Sequence, residues 1–246
     1  MSDLKGQVIL LTGANGGLGT PTAVELANRG ATVVLLARKV RQLERVYDAV
    51  IRNRENPEPV IYPLDLEGAG PDDFFDMANA IREQLGRLDA VVHMAANFEG
   101  LTPFSHLDPA KLARALHVNF TSMAWLTQSV EPLLRETAQA HGTTSRVVVV
   151  VDDEKRMHNA FWGGYGIAQN SRRNFVVMHA RELGTDQQLV SIFGFMPGPM
   201  RTMLRSRAFA DDVDPRVRMP DVVAPLLVDT VANAQPMQLH GSIVEA

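Results

Sequence analysis

Near the N-terminal end of the chain, an apolar run breaks into a glycine-rich turn, Val8-Ile9-Leu10-Leu11-Thr12-Gly13-Ala14-Asn15-Gly16-Gly17-Leu18-Gly19. The apolar run predicts a strand, and residues 22–28 have the apolar spacing of a helix. Four glycines in the seven positions 13–19 suit a backbone that turns tightly against a ligand, because side chains would obstruct the approach. The helix points its first N–H groups and its positive dipole end at the turn. The stretch therefore predicts a pyrophosphate-binding site.

The composition is that of an ordinary globular chain and gives no sign of a nucleic-acid or membrane partner. Of the 246 residues, 46% are hydrophobic and 21% are charged, and the net charge is −4. A negative balance disfavours nucleic acid, and no apolar run approaches the roughly 20 residues of a membrane helix. The absence of cysteine excludes disulfides, thiolate catalysis and cysteine-based zinc sites. The seven histidines are scattered, so we expect no metal site. From the composition as a whole, we expect small-molecule ligands and a cytoplasmic protein.

Strand-like and helix-like segments alternate along the whole chain. Continuous apolar runs predict the strands, and apolar residues at helical spacing predict the helices between them. No break in composition divides the chain, so we expect an α/β fold: one doubly wound parallel sheet of Rossmann type with helices on both faces, forming a single domain over residues 1–246. After the first strand and helix, the predicted strands are 31–37, 60–64, 89–93, 146–151, 189–195 and 241–244, and the predicted helices are 39–53, 71–85, 109–137, 163–183 and 220–233.

Arg38 directly follows the second predicted strand, at the edge where a doubly wound sheet binds its ligand. The ribose of a bound adenosine lies near this position. A guanidinium has a planar donor fork that suits a 2′-phosphate, whereas Asp or Glu would suit NAD. We therefore expect NADP(H) to be favoured over NAD(H). The alternative is a solvated arginine on a surface that Lys39 and Arg41 also make basic.

The glycine turn itself reads Thr12-Gly13-x-x-x-Gly17-x-Gly19. Four further features follow it in order along the chain: Asp65 after the third strand, Asn119 in a long helix, Tyr165 at the head of a helix, and Pro197-Gly198-x-x-x-Thr202. Together they resemble the short-chain dehydrogenase/reductase superfamily along nearly the whole chain. The resemblance implies hydride transfer between a nicotinamide cofactor and a small carbonyl compound or alcohol.

The resemblance also implies a role for each matching residue. Tyr165 would be the acid/base, Asn119 would support a proton-relay water, Asp65 would bind the adenine ring and Thr202 would touch the nicotinamide carboxamide. With Arg38 added, the expected cofactor-binding residues are Thr12, Gly13, Asn15, Gly16, Gly17, Leu18, Gly19, Arg38, Asp65, Leu66, Ala95, Ala96, Pro197, Gly198 and Thr202.

The chain departs from the family pattern at three places in the expected catalytic site. The family's lysine, four residues after the tyrosine, is here Gln169, an amide that supplies no charge. The family's serine, 13 residues before the tyrosine, is here Asp152, and a carboxylate at that position would raise the pKa of Tyr165 further. The usual Asn-Asn-Ala-Gly after the fourth strand reads His93-Met94-Ala95-Ala96.

These departures leave two classes of function open. The chain is either an enzyme with a modified site, in which a protonated Asp152 donates to a substrate oxygen, or a dinucleotide-binding sensor, scaffold or partner subunit with little or no activity. An intermediate hypothesis has Tyr165 working alone or with Arg172, two helical turns further on, for which the alternative is a surface arginine.

The sequence predicts three features around the site without identifying a substrate. Phe98, Phe104, Phe161 and Trp162 would flank the mouth of the pocket and suit an apolar or aromatic substrate, although such residues as often pack locally. The Met-rich segment 200–219 stands where the family has its substrate lid. By resemblance, helices 109–137 and 164–183 would carry the surface of a homodimer or homotetramer.

Overall fold

A computed structural model describes residues 3–184, 188–210 and 214–246 of the chain. Seven parallel strands form one sheet, ordered β3-β2-β1-β4-β5-β6-β7. The strands are β1 (Val8–Thr12), β2 (Thr32–Ala37), β3 (Val60–Pro63), β4 (Ala90–His93), β5 (Ser145–Val150), β6 (Val190–Met196) and β7 (Ile243–Glu245). The helices are α1 (Gly19–Asn28), α2 (Val40–Ile51), α3 (Pro71–Leu85), α4 (Pro109–Leu116), α5 (Ser122–His141), α6 (Glu154–Met157), α7 (Gly163–Leu183), α8 (Met203–Ser206) and α9 (Pro220–Val231).

Helices cover both faces of the sheet, which explains the continuous apolar runs of the strands. In β1, Ile9 and Leu11 face the core formed with α1, α2 and α9, whereas Leu10 faces the core formed with α3, α5 and α7. Successive side chains of a strand alternate between faces, so a strand covered on both sides is apolar throughout. The predicted doubly wound α/β fold is confirmed.

The strand order reverses next to β1, and this reversal positions the site. β1 pairs with β2 on one side and with β4 on the other, so that Thr12 lies beside both Leu36 and His93. The chain leaves the carboxyl ends of β1 and β4 in opposite directions, which opens a crevice there. The glycine turn after β1 and the segment 94–96 after β4 therefore form neighbouring walls.

The continuous helix expected over 109–137 is wrong in one respect. A π-helical turn, His117–Thr121, separates α4 from α5. Asn119 explains the interruption, because its Nδ2 donates to the main-chain oxygens of Ala115, 2.7 Å away, and Asn97, 2.8 Å away. The side chain thus competes for the carbonyl that a regular helical N–H would use.

Three short helical turns lie outside the predicted elements: Phe104–His106, α6 and Pro236–Leu239. Each is too short to show a periodic apolar pattern. Within the described ranges, no helix is both long and apolar enough to cross a membrane.

Candidate active site

The glycine turn is packed so closely that a Cβ at Gly13, Gly17 or Gly19 would stand less than 3 Å from a neighbouring atom. Gly13 has a φ of +70°, and a Cβ on Gly19 would stand 2.2 Å from the Gly13 oxygen. A Cβ on Gly17 would stand 2.8 Å from Cγ2 of Thr202. Leu18 provides no side-chain cap for α1, and the first turn of α1 holds no acidic residue. The turn therefore presents main-chain N–H groups and a positive helix end, which fit a pyrophosphate.

Thr12 holds this turn against the end of β4 and does not line the cavity. Its hydroxyl accepts hydrogen bonds from the main-chain N–H groups of Met94, at 3.0 Å, and Ala95, at 3.2 Å. A Cβ on Gly13 would come within 2.9 Å of the Ala95 Cα. Thr12 and Gly13 thus bring two strand ends together, which is a supporting role for a cofactor site.

One cavity of about 720 Å³ joins the glycine turn to the expected catalytic residues. Its volume lies within the range of small-molecule sites. Among the predicted site residues, Thr12 and Asn119 do not line it, and those that do are Gly13, Asn15, Gly16, Gly17, Leu18, Gly19, Arg38, Asp65, Leu66, Ala95, Ala96, Asp152, Tyr165, Gln169, Pro197, Gly198 and Thr202.

The end of the cavity next to β2 carries Arg38 and Asp65. Arg38 is exposed directly after β2, so its guanidinium can turn toward a ligand at the rim. Asp65 follows β3, and its Oδ1 accepts a hydrogen bond of 3.1 Å from the main-chain N–H of Glu67. That bond fixes the start of the loop, and Asp65 lines the cavity there. Asn15 of the turn is hydrogen-bonded to Gln42 of α2.

Tyr165, in the first turn of α7, is only 6% exposed and meets Asp152 directly. Its Oη donates to Oδ2 of Asp152 over 3.2 Å. The other oxygen, Oδ1, accepts from the main-chain N–H of Asp153 at 2.7 Å and lies 3.7 Å from Nη1 of Arg156. Burial and the charge of Asp152 raise the pKa of Tyr165 well above its usual value, against the opposing charges of Arg172 and Arg156.

Gln169 orients Asp152 and does not replace the charge of a lysine. It is buried one turn after Tyr165, and its Oε1 accepts a hydrogen bond of 3.2 Å from the main-chain N–H of Asp152. An amide can keep this loop in place, but it leaves the phenol without an ammonium neighbour.

Asn119 is fully buried, and its amide is committed to the main chain. Besides the two bonds that its Nδ2 donates, its Oδ1 accepts from the N–H of Asn97 at 2.7 Å. Asn119 therefore anchors the loop after β4 to the π-helical turn. Its proposed support of a proton-relay water stays a prediction.

His93 and Arg156 have roles that sequence reasoning did not assign. His93 is buried, its Nε2 lies 2.9 Å from the hydroxyl of Thr127, and burial together with the charge of Arg172 lowers its pKa to about 3. It is therefore neutral at physiological pH. Arg156 follows Asp152 by four residues, and this spacing was the sequence signal that could have revealed the ion pair between them.

An aromatic wall borders the cavity beside Tyr165. The ring of Phe98 stacks on that of Trp162 and tilts against that of Tyr165, with both centroid distances at 5.1 Å. Phe209 lies 6.2 Å from Trp162 and, together with Leu204, brings the segment after β6 over the cavity. The expected substrate-lid segment thus contributes a wall of the site between residues 200 and 209, whereas residues 214–219 do not line the cavity and residues 211–213 lie outside the described ranges. Phe104 and Phe161, which were expected at the mouth, do not line the cavity.

The fold and the site together define the class of protein. It is a doubly wound α/β protein in which a glycine turn and a buried tyrosine line one cavity at the carboxyl edge of the sheet. A family model described as short chain dehydrogenase matches residues 7–213. The chain belongs to the short-chain dehydrogenase/reductase family and is an oxidoreductase of that family.

Relatives and solved structures agree with this assignment. An uncharacterized oxidoreductase of Escherichia coli K12, YciK, is 28% identical over 223 residues, which are 91% of this chain and 85% of that protein. The next three curated relatives are longer, and this chain spans 39%, 62% and 50% of their lengths.

Two of the similar solved structures contain a nicotinamide cofactor. A short chain dehydrogenase of Shigella flexneri 2a complexed with NADP has a TM-score of 0.89 at 26% identity, covering 100% of this chain and 99% of that one. One of E. coli CFT073 complexed with NADPH also has a TM-score of 0.89, at 27% identity, covering 100% and 98%.

Proposed function

We propose that this protein is an NADP(H)-dependent oxidoreductase acting on a small carbonyl compound or alcohol, with Tyr165 as its acid/base. The observation that carries the proposal is that the buried phenol of Tyr165 and the glycine turn open into the same cavity. A cofactor held by the turn would reach the tyrosine in this crevice without any rearrangement of the fold.

The preference for NADP(H) rests on Arg38 and on the cofactors of the solved neighbours. Arg38 lines the rim directly after β2 and can donate two parallel hydrogen bonds to a 2′-phosphate. The Shigella and E. coli neighbours are complexed with NADP and NADPH. NADPH should therefore bind more tightly than NADH.

Calorimetric titration of the wild type and of Arg38→Asp with both cofactors tests this preference. We expect the substitution to lower the NADPH-to-NADH affinity ratio by about tenfold or more. The matched control is Arg41→Asp, an exposed arginine on the same surface that does not line the cavity. An unchanged ratio in Arg38→Asp would exclude the assignment, and a wild type that binds neither cofactor would exclude the cofactor site.

The cofactor would supply the hydride, and the chain's own residues would handle the proton. Because the pKa of Tyr165 lies well above its usual value, the phenol is protonated at neutral pH and can donate to a carbonyl oxygen. Oxidation of an alcohol needs the phenolate, which burial and Asp152 disfavour. At neutral pH the phenol is therefore in the protonation state that carbonyl reduction needs.

Loss of absorbance by NADPH, followed against a panel of ketones and aldehydes, tests the catalytic role. We expect activity in the wild type, and a fall of about 100-fold or more in Tyr165→Phe with the cofactor affinity unchanged. The aromatic wall of Phe98, Trp162 and Phe209 supports an apolar or aromatic group beside the carbonyl, so such substrates should have the higher kcat/KM. Full activity in Tyr165→Phe would contradict the proposal.

A second candidate is a dinucleotide-binding protein with little hydride transfer, serving as a sensor, scaffold or partner subunit. It is favoured by the pairing of the phenol with a carboxylate while Gln169 brings no charge. Activity that appears when Asp152→Ser and Gln169→Lys are introduced together would support this candidate. Activity of the wild type that is lost in Asp152→Asn would instead support an enzyme that depends on Asp152.

A further inference from the structure

Arg172 is a buried arginine that the reaction outlined above does not use. It lies two turns after Tyr165 on α7, is only 2% exposed and lines the cavity. Its hydrogen bonds go to neutral acceptors: Nη2 donates to the main-chain oxygen of His93 over 3.4 Å, and Nε donates to the sulfur of Met123 over 3.5 Å. Within the part of the chain that the structure describes, no carboxylate forms an ion pair with it. The alternative of a surface arginine is therefore wrong.

A buried guanidinium without an anion destabilises the folded state unless another group compensates its charge. Burial lowers the pKa of Arg172 to about 10, so the group stays charged at neutral pH. Its charge acts on two ionisable groups: His93, which is neutral at physiological pH, and Tyr165, which lies two turns before it on α7 and lines the same cavity. The arrangement makes sense if an anion forms at Tyr165 during the reaction.

Four titratable or charged side chains surround Tyr165 among the described residues, and one of them is a cation without a carboxylate partner. Asp152 faces the phenol after β5, and Arg156 of α6 partly neutralises that carboxylate from 3.7 Å. His93 on β4 is neutral because its pKa is about 3. Arg172 is then the positive charge that remains for a phenolate.

We propose that Arg172 is a positioning residue that acts through Tyr165, supplying from the protein interior the positive charge that the family's lysine supplies one turn after the tyrosine. The inference rests on the proposed function. When the O–H bond of Tyr165 breaks, the proton goes to the substrate oxygen and the electron pair stays on the phenolate. A bound reduced nicotinamide would supply the hydride and would itself be oxidised. Arg172 stabilises the phenolate until the proton is replaced from solvent.

The test measures the phenol directly, with neither cofactor nor substrate present. The chain has three tyrosines, so carbon-13 labelling at the tyrosine Cζ gives few NMR signals, and Tyr165→Phe identifies the one from Tyr165. Asp152→Ser serves as the background, because removing the carboxylate brings the titration of the phenol closer to its ordinary range. Arg172→Met and Arg172→Lys are then added separately. Arg181→Met, an exposed arginine at the far end of α7, is the matched control.

In this background, we expect Arg172→Met to lower the ionisation constant of the Tyr165 phenol by about tenfold or more, and Arg172→Lys and Arg181→Met to leave it nearly unchanged. Equal titration of the Met variant and the background would overturn the proposal. So would a background phenol that does not titrate below about pH 11.5, since the charge of Arg172 would then fail to offset the effect of burial on the phenolate.

Kinetics separate this proposal from the proposed function. If the wild type reduces carbonyls, Arg172→Met should lower kcat with little change in KM and should move the alkaline limb of the pH profile. If the wild type proves inactive, the proposed function fails while the NMR titration still decides the electrostatic role of Arg172.

Discussion

Asp152 is the residue that most changes the chemistry expected of this site. Its carboxylate faces three donors, the phenol of Tyr165, the main-chain N–H of Asp153 and the guanidinium of Arg156. Each carboxylate oxygen already accepts a hydrogen bond, and Arg156 adds an ion-pair contact at 3.7 Å, so this geometry gives no support to the hypothesis that a protonated Asp152 donates to substrate. The residue instead holds the phenol in a defined direction at an electrostatic cost.

Asn119 allows a prediction about stability at the scale of one residue. Asn119→Ala removes three hydrogen bonds to the part-buried main chain at Asn97 and Ala115, which lose their partner in the fully buried Asn119 side chain. We expect the free energy of unfolding to fall by about 3 kcal/mol in urea denaturation. Asn174→Ala on the exposed side of α7 is the control. Equal stability of the two variants would contradict this account of Asn119.

At the scale of elements, the junction of β1 with α1 leaves no room for a single methyl group. Gly19→Ala places a Cβ 2.2 Å from the Gly13 oxygen, so the backbone of the turn must shift. We expect the NADPH dissociation constant to rise by about tenfold or more, equivalent to at least about 1.4 kcal/mol, in calorimetric titration. In Gly68→Ala, the new Cβ has no neighbour within 4 Å, so binding should stay as in the wild type. Unchanged affinity in Gly19→Ala would mean that the turn does not hold the cofactor.

The contact between α5 and α7 depends on the charge of His179. Its Nε2 lies 3.0 Å from Oε2 of Glu131 as an ion pair, although the N–H is not aligned for a hydrogen bond. Glu131 raises the pKa of His179 against the effect of burial, and Glu182 adds to the rise. A group whose pKa is raised by folding stabilises the folded state fully below its unfolded pKa of about 6.5, and this stabilisation disappears as the pH rises through the folded pKa.

The stability lost in His179→Gln should therefore be largest near pH 6 and should shrink toward pH 9. Urea unfolding at several pH values measures this loss, and His141→Gln, at the exposed end of α5, serves as the control. A loss that grows with pH would contradict the sign of the pKa shift.

At the scale of the whole molecule, the reversal of strand order brings together residues that are far apart in the chain. The ends of β1, β4, β5 and β6 supply the glycine turn, the 94–96 wall, Asp152 and the Pro197-Gly198 turn to one cavity. None of these segments forms a site alone. The crevice exists because parallel crossovers align all the carboxyl ends on one edge of the sheet.

The oligomeric state is a further prediction at this scale. Ile167, Val177 and Met178 expose apolar surface on α7, the helix that carries the family's dimer surface by resemblance. We expect a homodimer or homotetramer in mass photometry, and dissociation in the double variant Val177→Glu with Met178→Glu. Phe75→Glu, an exposed aromatic residue on α3, should leave the assembly intact. A wild type that is monomeric at micromolar concentration would remove the expectation.

The sequence by itself determined the fold class, because apolar runs and helical periodicity are local patterns. It also predicted the pyrophosphate-binding turn, because the glycines that a tight turn needs are adjacent in the chain. The sequence also identified Tyr165 as the expected acid/base, and Asp152, Gln169 and residues 93–96 as the places where the chain departs from the family pattern. Only the tertiary structure decided what faces what: that Asp152 accepts from the phenol, that Asn119 interrupts its helix, and that Arg172 is buried without a carboxylate. The physical reason is that side-chain direction and burial depend on the packing of distant segments, which no local pattern encodes.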